Sequence, residues 1–210
     1  MANSPVEDEQ QTFEDAKGVK RVRDTEYVLP ICMGTVAFWL GKKASEEKSH
    51  RWTVYVRSPL GEDMSHILES VTFRLHPSFP NAERVVSTPP YELTEHGWGE
   101  FDITIVLKFC KDSGDSELEV VHRLKLYSEE SGNQSTKKAV VREIYEELVF
   151  SEPTVGFYER VSKAERVAAK DSDLAQHFPK HDEQHDLTKV RNARIRVASS
   201  LKKQKAQNNR

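Results

Sequence analysis

What this sequence has little of narrows its function before any motif is read. Its two cysteines, Cys32 and Cys110, are too few for a disulfide framework and do not form a zinc-binding spacing. No apolar run approaches the ~20 residues that a membrane-spanning helix needs. The first residues, which include Glu7, Asp8 and Glu9, lack the basic and apolar stretches of a signal peptide. There is no phosphate-cradling glycine loop, no nucleophile elbow and no triad of nucleophile, base and acid. Strand and helix patterns do not alternate through the middle, which disfavours a doubly wound parallel sheet. The expectation is an intracellular, reduced protein with no membrane contact, no cofactor, no resident metal and no enzymatic activity.

Charge of one sign is missing from each end. Residues 1–16 hold Glu7, Asp8, Glu9, Glu14 and Asp15 with no base. Residues 187–210 hold Lys189, Arg191, Arg194, Arg196, Lys202, Lys203, Lys205 and Arg210 with no acid. The net charge of -3 over 210 residues therefore conceals an acidic head and a basic tail. Such ends are either solvated faces or interaction tails. The basic one would touch nucleic-acid phosphates weakly and without sequence preference, or serve nuclear import.

Between the ends, period-two alternation dominates. Trp52, Val54 and Val56 alternate with Thr53, Tyr55 and Arg57, and Val71, Phe73 and Leu75 with Thr72, Arg74 and His76. Phe101, Ile103, Ile105, Leu107 and Phe109 form the cleanest stripe, and Leu118, Val120, Leu124 and Leu126 extend the pattern. Side chains of a strand point alternately to its two faces, so each run offers one apolar face to a core. Weaker strand signals cover Tyr27–Leu40 and Val140–Phe150. Turn-like segments at Ser58-Pro59-Leu60-Gly61, Pro89-Pro90 and Ser113-Gly114-Asp115 separate the runs, and the set predicts an all-β sandwich.

From Pro153 the period changes. Phe157, Val161, Ala164 and Ala168 recur at helical spacing, Pro153 suits a first helical turn, and Pro179 interrupts or ends the helix. The expected organisation is an acidic, disordered segment over 1–17, a β-sandwich over 18–155, and a helical, partly disordered basic tail over 156–210. Leu187, Val190, Val197 and Leu201 fall at coiled-coil seam positions, but Arg194 and Gln204 interrupt them. That falls short of a coiled-coil signature, although a partner could stabilise such a helix. His177, His181 and His185 are four apart, but His181-Asp182-Glu183-Gln184-His185 lacks the general-base Glu of a zinc hydrolase motif. Adventitious metal binding is the reading for that cluster.

Two loops hold the chemistry. His76-Pro77-Ser78-Phe79-Pro80 supplies an imidazole, a hydroxyl and a ring, and Gly97-Trp98-Gly99-Glu100-Phe101 supplies a further ring between two glycines. Loops carried on a rigid sheet are where binding groups concentrate. Rings, one hydroxyl and bare amides suit the gripping of a flat, neutral amide.

Six motifs follow one another over roughly residues 18–155: Gly41-Lys42-Lys43, His50-Arg51-Trp52, Leu75-His76-Pro77-Ser78-Phe79, Arg84-Val85-Val86, Pro89-Pro90-Tyr91-Glu92 and Gly97-Trp98-Gly99-Glu100-Phe101. In this order they resemble the motifs of the YEATS family of acyl-lysine readers. The stretch Leu29-Pro30-Ile31-Cys32 departs from the family's pattern. The Trp-Gly-Glu-Phe version looks most like the branch found in chromatin-remodelling and histone-acetyltransferase complexes. The resemblance implies an immunoglobulin-like β-sandwich with a helical tail, a nuclear location, and an acylated histone tail peptide as partner. It implies that Phe79 and Trp98 sandwich the acyl amide while His76 and Phe101 close the sides. Ser78 would accept from the amide N–H, and the backbone of Trp98 and Gly99 would donate to the acyl oxygen; Gly97 and Glu100 complete the set. The tail would dock the chain to other subunits. A structural sandwich subunit with a silent pocket is the competing reading.

Overall fold

Antiparallel pairing of the alternating runs produces two facing four-stranded sheets in the computed structural model, which describes residues 11–114, 117–128, 135–179 and 183–208. The strands are β1 (Thr12–Glu14), β2 (Lys20–Val22), β3 (Glu26–Trp39), β4 (His50–Arg57), β5 (Leu68–Arg74) and β6 (Glu83–Val86). They continue with β7 (Tyr91–Gly97), β8 (Asp102–Phe109), β9 (Glu117–Arg123) and β10 (Val140–Ser151). One sheet has the order β10-β3-β4-β7 and the other β6-β5-β8-β9, while β1 and β2 form a hairpin of their own. Ile31, Met33, Trp52 and Val54 from the first sheet bury against Val71, Phe73, Ile103 and Ile105 from the second. The fold is the expected all-β sandwich.

The weakest strand signals became the longest strands. β3 runs for 14 residues and pairs with β10 on one side and β4 on the other. Its middle is buried on both faces, so it reads as a continuous apolar run rather than an alternation. Pro30 is tolerated because β4 pairs with β3 only from Cys32 onward, leaving Pro30 on a locally free edge. The outer face of this sheet is covered too. Tyr55 and Arg57 lie beneath Phe178, with ring centroids 4.6 Å apart and the guanidinium 4.8 Å from the ring. The Tyr55 hydroxyl donates to Glu143 (2.7 Å), which also receives two hydrogen bonds from Arg57 (2.8 Å each). Gly34 is required beneath them, since a Cβ there would sit 2.4 Å from the Tyr55 hydroxyl.

The helix after Pro153 is shorter than its periodicity suggests. α1 spans Val155–Lys163 and starts at Thr154, whose hydroxyl accepts from the Phe157 N–H (3.2 Å). Phe157 and Val161 bury in the sandwich core, but Ala164 is already extended and Ala168 bridges to Glu62. Hydrogen bonds from Asp63 to Val167 and from Ala169 to Gly61 lead the chain along the sandwich towards Phe178. The compact unit accordingly runs to Phe178, beyond the boundary expected at 155. Thr12–Glu14 of the acidic head pair with β2; residues 1–10 lie outside the described residues.

Pro179–Arg210 form a second unit, built on α2 (Glu183–Asn208). Leu187, Val190, Ile195, Val197 and Leu201 are exposed along it. Of the spaced histidines, His177 packs edge-on against Phe38 at 5.1 Å, while His181 lies outside the described residues.

What positions the site is register. β5 and β8 are neighbours, with Arg74 opposite Thr104, so the loop leaving β5 and the loop entering β8 emerge at one end of the sandwich. β4 begins there as well, with His50 opposite Gly97.

Candidate functional site

The first loop is folded around one imidazole nitrogen. The backbone N–H of Ser78 donates to His76 Nδ1 (3.2 Å), and Ser78 Oγ lies 2.9 Å from the same atom. A backbone N–H can only donate, so Nδ1 is an acceptor and the ring proton sits on Nε2. The Ser78 hydroxyl therefore spends its hydrogen on His76 and keeps its lone pairs free to accept. Phe79 N–H donates to the His76 carbonyl (3.0 Å), closing the turn. Arg84 fastens the loop from behind by donating to the carbonyls of Pro80 and Asn81, and pairs with Glu95 of β7 at 3.2 Å. One side chain thus ties the loop to the strand that feeds the other.

Three rings form the apolar body of the site. Phe79 and Phe101 have centroids 5.5 Å apart, and both rest edge-on against the buried Trp52, at 5.9 and 5.8 Å. His76 meets Phe101 at 6.1 Å. Trp98 behaves differently, since 66% of it is exposed. An indole left this open contributes little to a core and remains available to a ligand. Gly97 is buried close to Trp52 and Phe79, whereas a Cβ on Gly99 would meet nothing within 4 Å. Gly97 thus allows close packing and Gly99 keeps one side open.

Glu100 points away from this arrangement. Its Oε1 accepts from the backbone N–H groups of Leu126 (2.8 Å) and Tyr127 (3.3 Å), and Oε2 lies 3.6 Å from Lys125. Burial pushes the Glu100 carboxyl up, but these amides and Lys125 outweigh it and hold the group below the usual carboxylate range. Tyr127 donates to the Trp98 carbonyl (3.5 Å) and packs edge-on against His50 at 5.2 Å. Burial pushes the His50 imidazole down, partly opposed by Glu100. Glu100 is therefore a latch that holds the Trp98 loop against the segment after β9.

His76, Ser78, Phe79, Gly97, Trp98, Gly99, Glu100 and Phe101 line a single cleft of about 550 Å³. Glu47 and His96, which are not among the residues expected from the sequence, line it as well. Glu47 sits in a short turn of the β3–β4 loop and looks like any solvated acid. Only the pairing of β4 with β7 brings it to this end of the sandwich. His96 precedes Gly97 directly, which was the available signal. Two supporting residues carry no local sign of their role: Trp52 alternates as a core residue does, and nothing beside Tyr127 announces its contact with Trp98. The cleft offers ring walls, one hydroxyl acceptor and loop amides, which is the equipment for holding a neutral planar group.

Comparison with known proteins decides the family. The YEATS family model matches residues 47–128. The transcription initiation factor TFIID subunit 14b of Arabidopsis thaliana is 40% identical over 215 residues, covering 90% of this chain and 80% of that protein. This chain belongs to the YEATS family. Among other YEATS relatives, the protein AF-9 homolog of Eremothecium gossypii is 39% identical over 148 residues, covering 68% of this chain and 71% of that one. The crystal structure of the Yaf9 YEATS domain bound to H3K27ac superposes with a TM-score of 0.60 at 34% identity, covering 69% of this chain and 99% of that one. The Yaf9 YEATS domain recognising an H3K122suc peptide gives 0.59 at 36% identity, with the same coverage. The YEATS sandwich is therefore established by fold and sequence together.

Proposed function

We propose that this protein reads acyl-lysine on histone tails and acts in the nucleus as a subunit of a chromatin-remodelling or histone-acetyltransferase complex. The observation that carries the reading is the Ser78 hydroxyl. His76 orients it so that its lone pairs face outward beside Phe79, Trp98 and Phe101. Acylation turns a hydrated ammonium into a neutral amide with one donor and one acceptor. The amide plane lies between Phe79 and Trp98, its N–H donates to Ser78, and its oxygen accepts from the loop backbone at Trp98 or Gly99. A neutral hydrogen bond contributes ~1 kcal/mol net, whereas a buried group left unpaired costs about 1–3 kcal/mol. Unmodified lysine offers no acceptor to the loop amide and brings a charge that must be desolvated, so the cleft favours the acylated form. The related Yaf9 YEATS domain, solved in complex with H3K27ac and with an H3K122suc peptide, supports this reading.

Calorimetry with acetylated, crotonylated and unmodified histone H3 peptides tests it. The expected order is crotonyl at least equal to acetyl, both far above unmodified, because the conjugated plane extends the stacking on two rings. Equal affinity for acylated and bare peptides would leave the second reading, a sandwich that serves only as a structural subunit.

The parent assembly is contacted through the C-terminal region, where α2 exposes Leu187, Val190, Val197 and Leu201 without burying them in its own unit. A lone helix of this kind gains stability by packing against a partner. The folding unit that carries the cleft extends to Phe178, because Phe157 and Val161 belong to its core. A chain ending at Phe178 retains peptide binding and loses assembly, while one ending at 155 also loses its fold. Recovery of complex subunits from nuclear extract separates these outcomes.

A further inference from the structure

The β4–β7 pair has a second cavity at the end remote from the acyl-lysine cleft. Val56 lies opposite Tyr91 there, and the segment after α1 passes over that end. The space beneath it measures about 170 Å³, with apolar walls from Met64, Pro89, Pro90, Tyr91, Ala169 and Phe178. An apolar cavity of ~150 Å³ admits a molecule the size of benzene, so this one has room for the four-carbon stem of a lysine. Its polar lining is acidic. Arg57 is paired with Glu143 and Glu62 with Arg166, which leaves Asp63, Glu92 and Asp171 against one base, Lys170. Glu92 is half-buried between the sheet and Ser172, from which it accepts a hydrogen bond, so a carboxylate stands inside the cavity. Among the described residues, neither Glu92 nor Asp171 forms an ion pair. Burial pushes the Glu92 carboxyl up, with Ser172 opposing and Asp173 adding, so the carboxylate stands to gain from a cation brought to it. The cavity opens into a shallower groove of about 410 Å³ that passes Thr53, Thr94 and Asp173 on the outer face of the sheet.

We propose that this cavity holds an unmodified lysine side chain from an extended, lysine-rich peptide segment. The stem packs against Pro90, Tyr91 and Phe178, the ammonium donates to Glu92, and the peptide backbone follows the groove past Thr53 and Thr94. An ammonium leaving water is costly unless a carboxylate receives it, and Glu92 is placed to do so. An acylated lysine would bring no charge and leave Glu92 as it is, so the cavity prefers the state of lysine that the cleft rejects. The choice of lysine rests on the acyl-lysine reading given above, because a segment that presents acyl-lysine also presents lysines left bare. The two ends of the β4–β7 pair would then read opposite states of one side chain.

Amide NMR of the isotope-labelled full chain tests the proposal, with the capped peptide Gly-Ser-Lys-Ser-Gly at millimolar concentration as probe. The lysine peptide should shift the amides of Gly61, Glu92, Ala169 and Ser172. Its acetyl-lysine counterpart should instead shift those of Ser78, Trp98 and Gly99. Glu92→Gln should weaken the lysine peptide by about tenfold, since a hydrogen bond to a charged group is lost. Asp171→Asn, at an exposed position that leaves the fold alone, should weaken it by about threefold. Neither variant should alter the acetyl-lysine response. Lysine-peptide shifts that are absent at this end, or that survive both variants unweakened, would overturn the proposal. So would equal binding of a diaminopropionyl peptide, whose ammonium is too short-stemmed to reach inside, because surface attraction would then suffice. Trp98→Ala separates the two readings: it should erase the acetyl-lysine shifts and keep the lysine ones. A wild-type chain that answers lysine at Glu92 but acetyl-lysine nowhere would keep this cavity and discard the reader, and the reverse would discard the cavity alone.

Discussion

At its first residues β4 holds up an open cleft. His50 pairs with Gly97, and Trp52 lies under Phe79 and Phe101. At its last residues the same strand is roofed over, with Tyr55 and Arg57 joined to Glu143 and covered by Phe178. Both ends combine aromatic rings with polar groups. At the roofed end the Tyr55 hydroxyl and the Arg57 guanidinium are matched within the chain by Glu143, so those residues serve the fold. At the open end a hydroxyl acceptor and a large indole are left for something else. Stability and binding should therefore respond to different ends of one strand.

The largest effect is expected at the roofed end. In the Arg57–Glu143 pair the side chains are 16% and 3% exposed, and removing one partner of such a pair costs about 3–5 kcal/mol. Glu143→Gln should lower the denaturation midpoint accordingly while leaving the acyl-peptide affinity of the folded fraction unchanged. Glu83→Gln breaks the exposed Arg74–Glu83 pair, which water screens, and should leave the midpoint almost unmoved. Similar losses at both pairs in chemical denaturation would erase the distinction between a roofed face and a solvated one.

Next in size is a pH effect inside the sandwich. Burial, and then the charge of Arg142, push the His122 imidazole down from its ordinary value near 6.5 to about 4. The unfolded chain binds the proton more readily, so stability is complete above pH 6.5 and falls as pH drops from 6.5 towards 4. A shift of this size corresponds to roughly 3 kcal/mol at the acid end. His122→Gln should flatten that part of the stability profile. An unaltered profile would mean that other groups carry the acid sensitivity.

These two tests bear on what could be read from sequence. The sandwich was legible in the stripes of β4, β5 and β8 because each buries one face. β3 and the far end of β4 were harder, because a face that looks solvent-exposed by alternation is covered by the segment before Phe178. Nothing local in Tyr55 or Arg57 announces that roof. α1 was visible as a helix, but its end was not. Ala164 and Ala168 keep the helical spacing, while the bridge from Ala168 to Glu62 draws the chain into extended form. The cleft's lining was legible because its residues lie in two short loops with distinctive side chains. Glu47 was not, since only strand pairing brings it there.

Trp98→Ala carries the third effect. The ring is mostly solvent-exposed, so the melting temperature should hold, while peptide binding should weaken by about 2 kcal/mol or more as one wall of the sandwich disappears. Phe79→Ala should weaken binding too, with a loss of stability, because Phe79 packs on Trp52 and Phe101. A matched loss of stability in both variants would move Trp98 into the fold-serving class and break the comparison from the open end.

The smallest effect is the most specific. Ser78→Ala removes the acceptor proposed for the amide N–H and should cost about 1 kcal/mol of binding, with no change in stability. His76→Ala should cost less, because it frees the Ser78 hydroxyl to rotate without deleting its oxygen. A double-mutant cycle of the two should therefore be non-additive, since His76 acts on the ligand partly through Ser78. Strict additivity would show that His76 and Ser78 contact the ligand independently, against the shared bond at Nδ1. If Ser78→Ala binds as well as the parent while Trp98→Ala does not bind, ring stacking alone carries recognition. The acyl amide must then lie with its N–H turned away from the first loop.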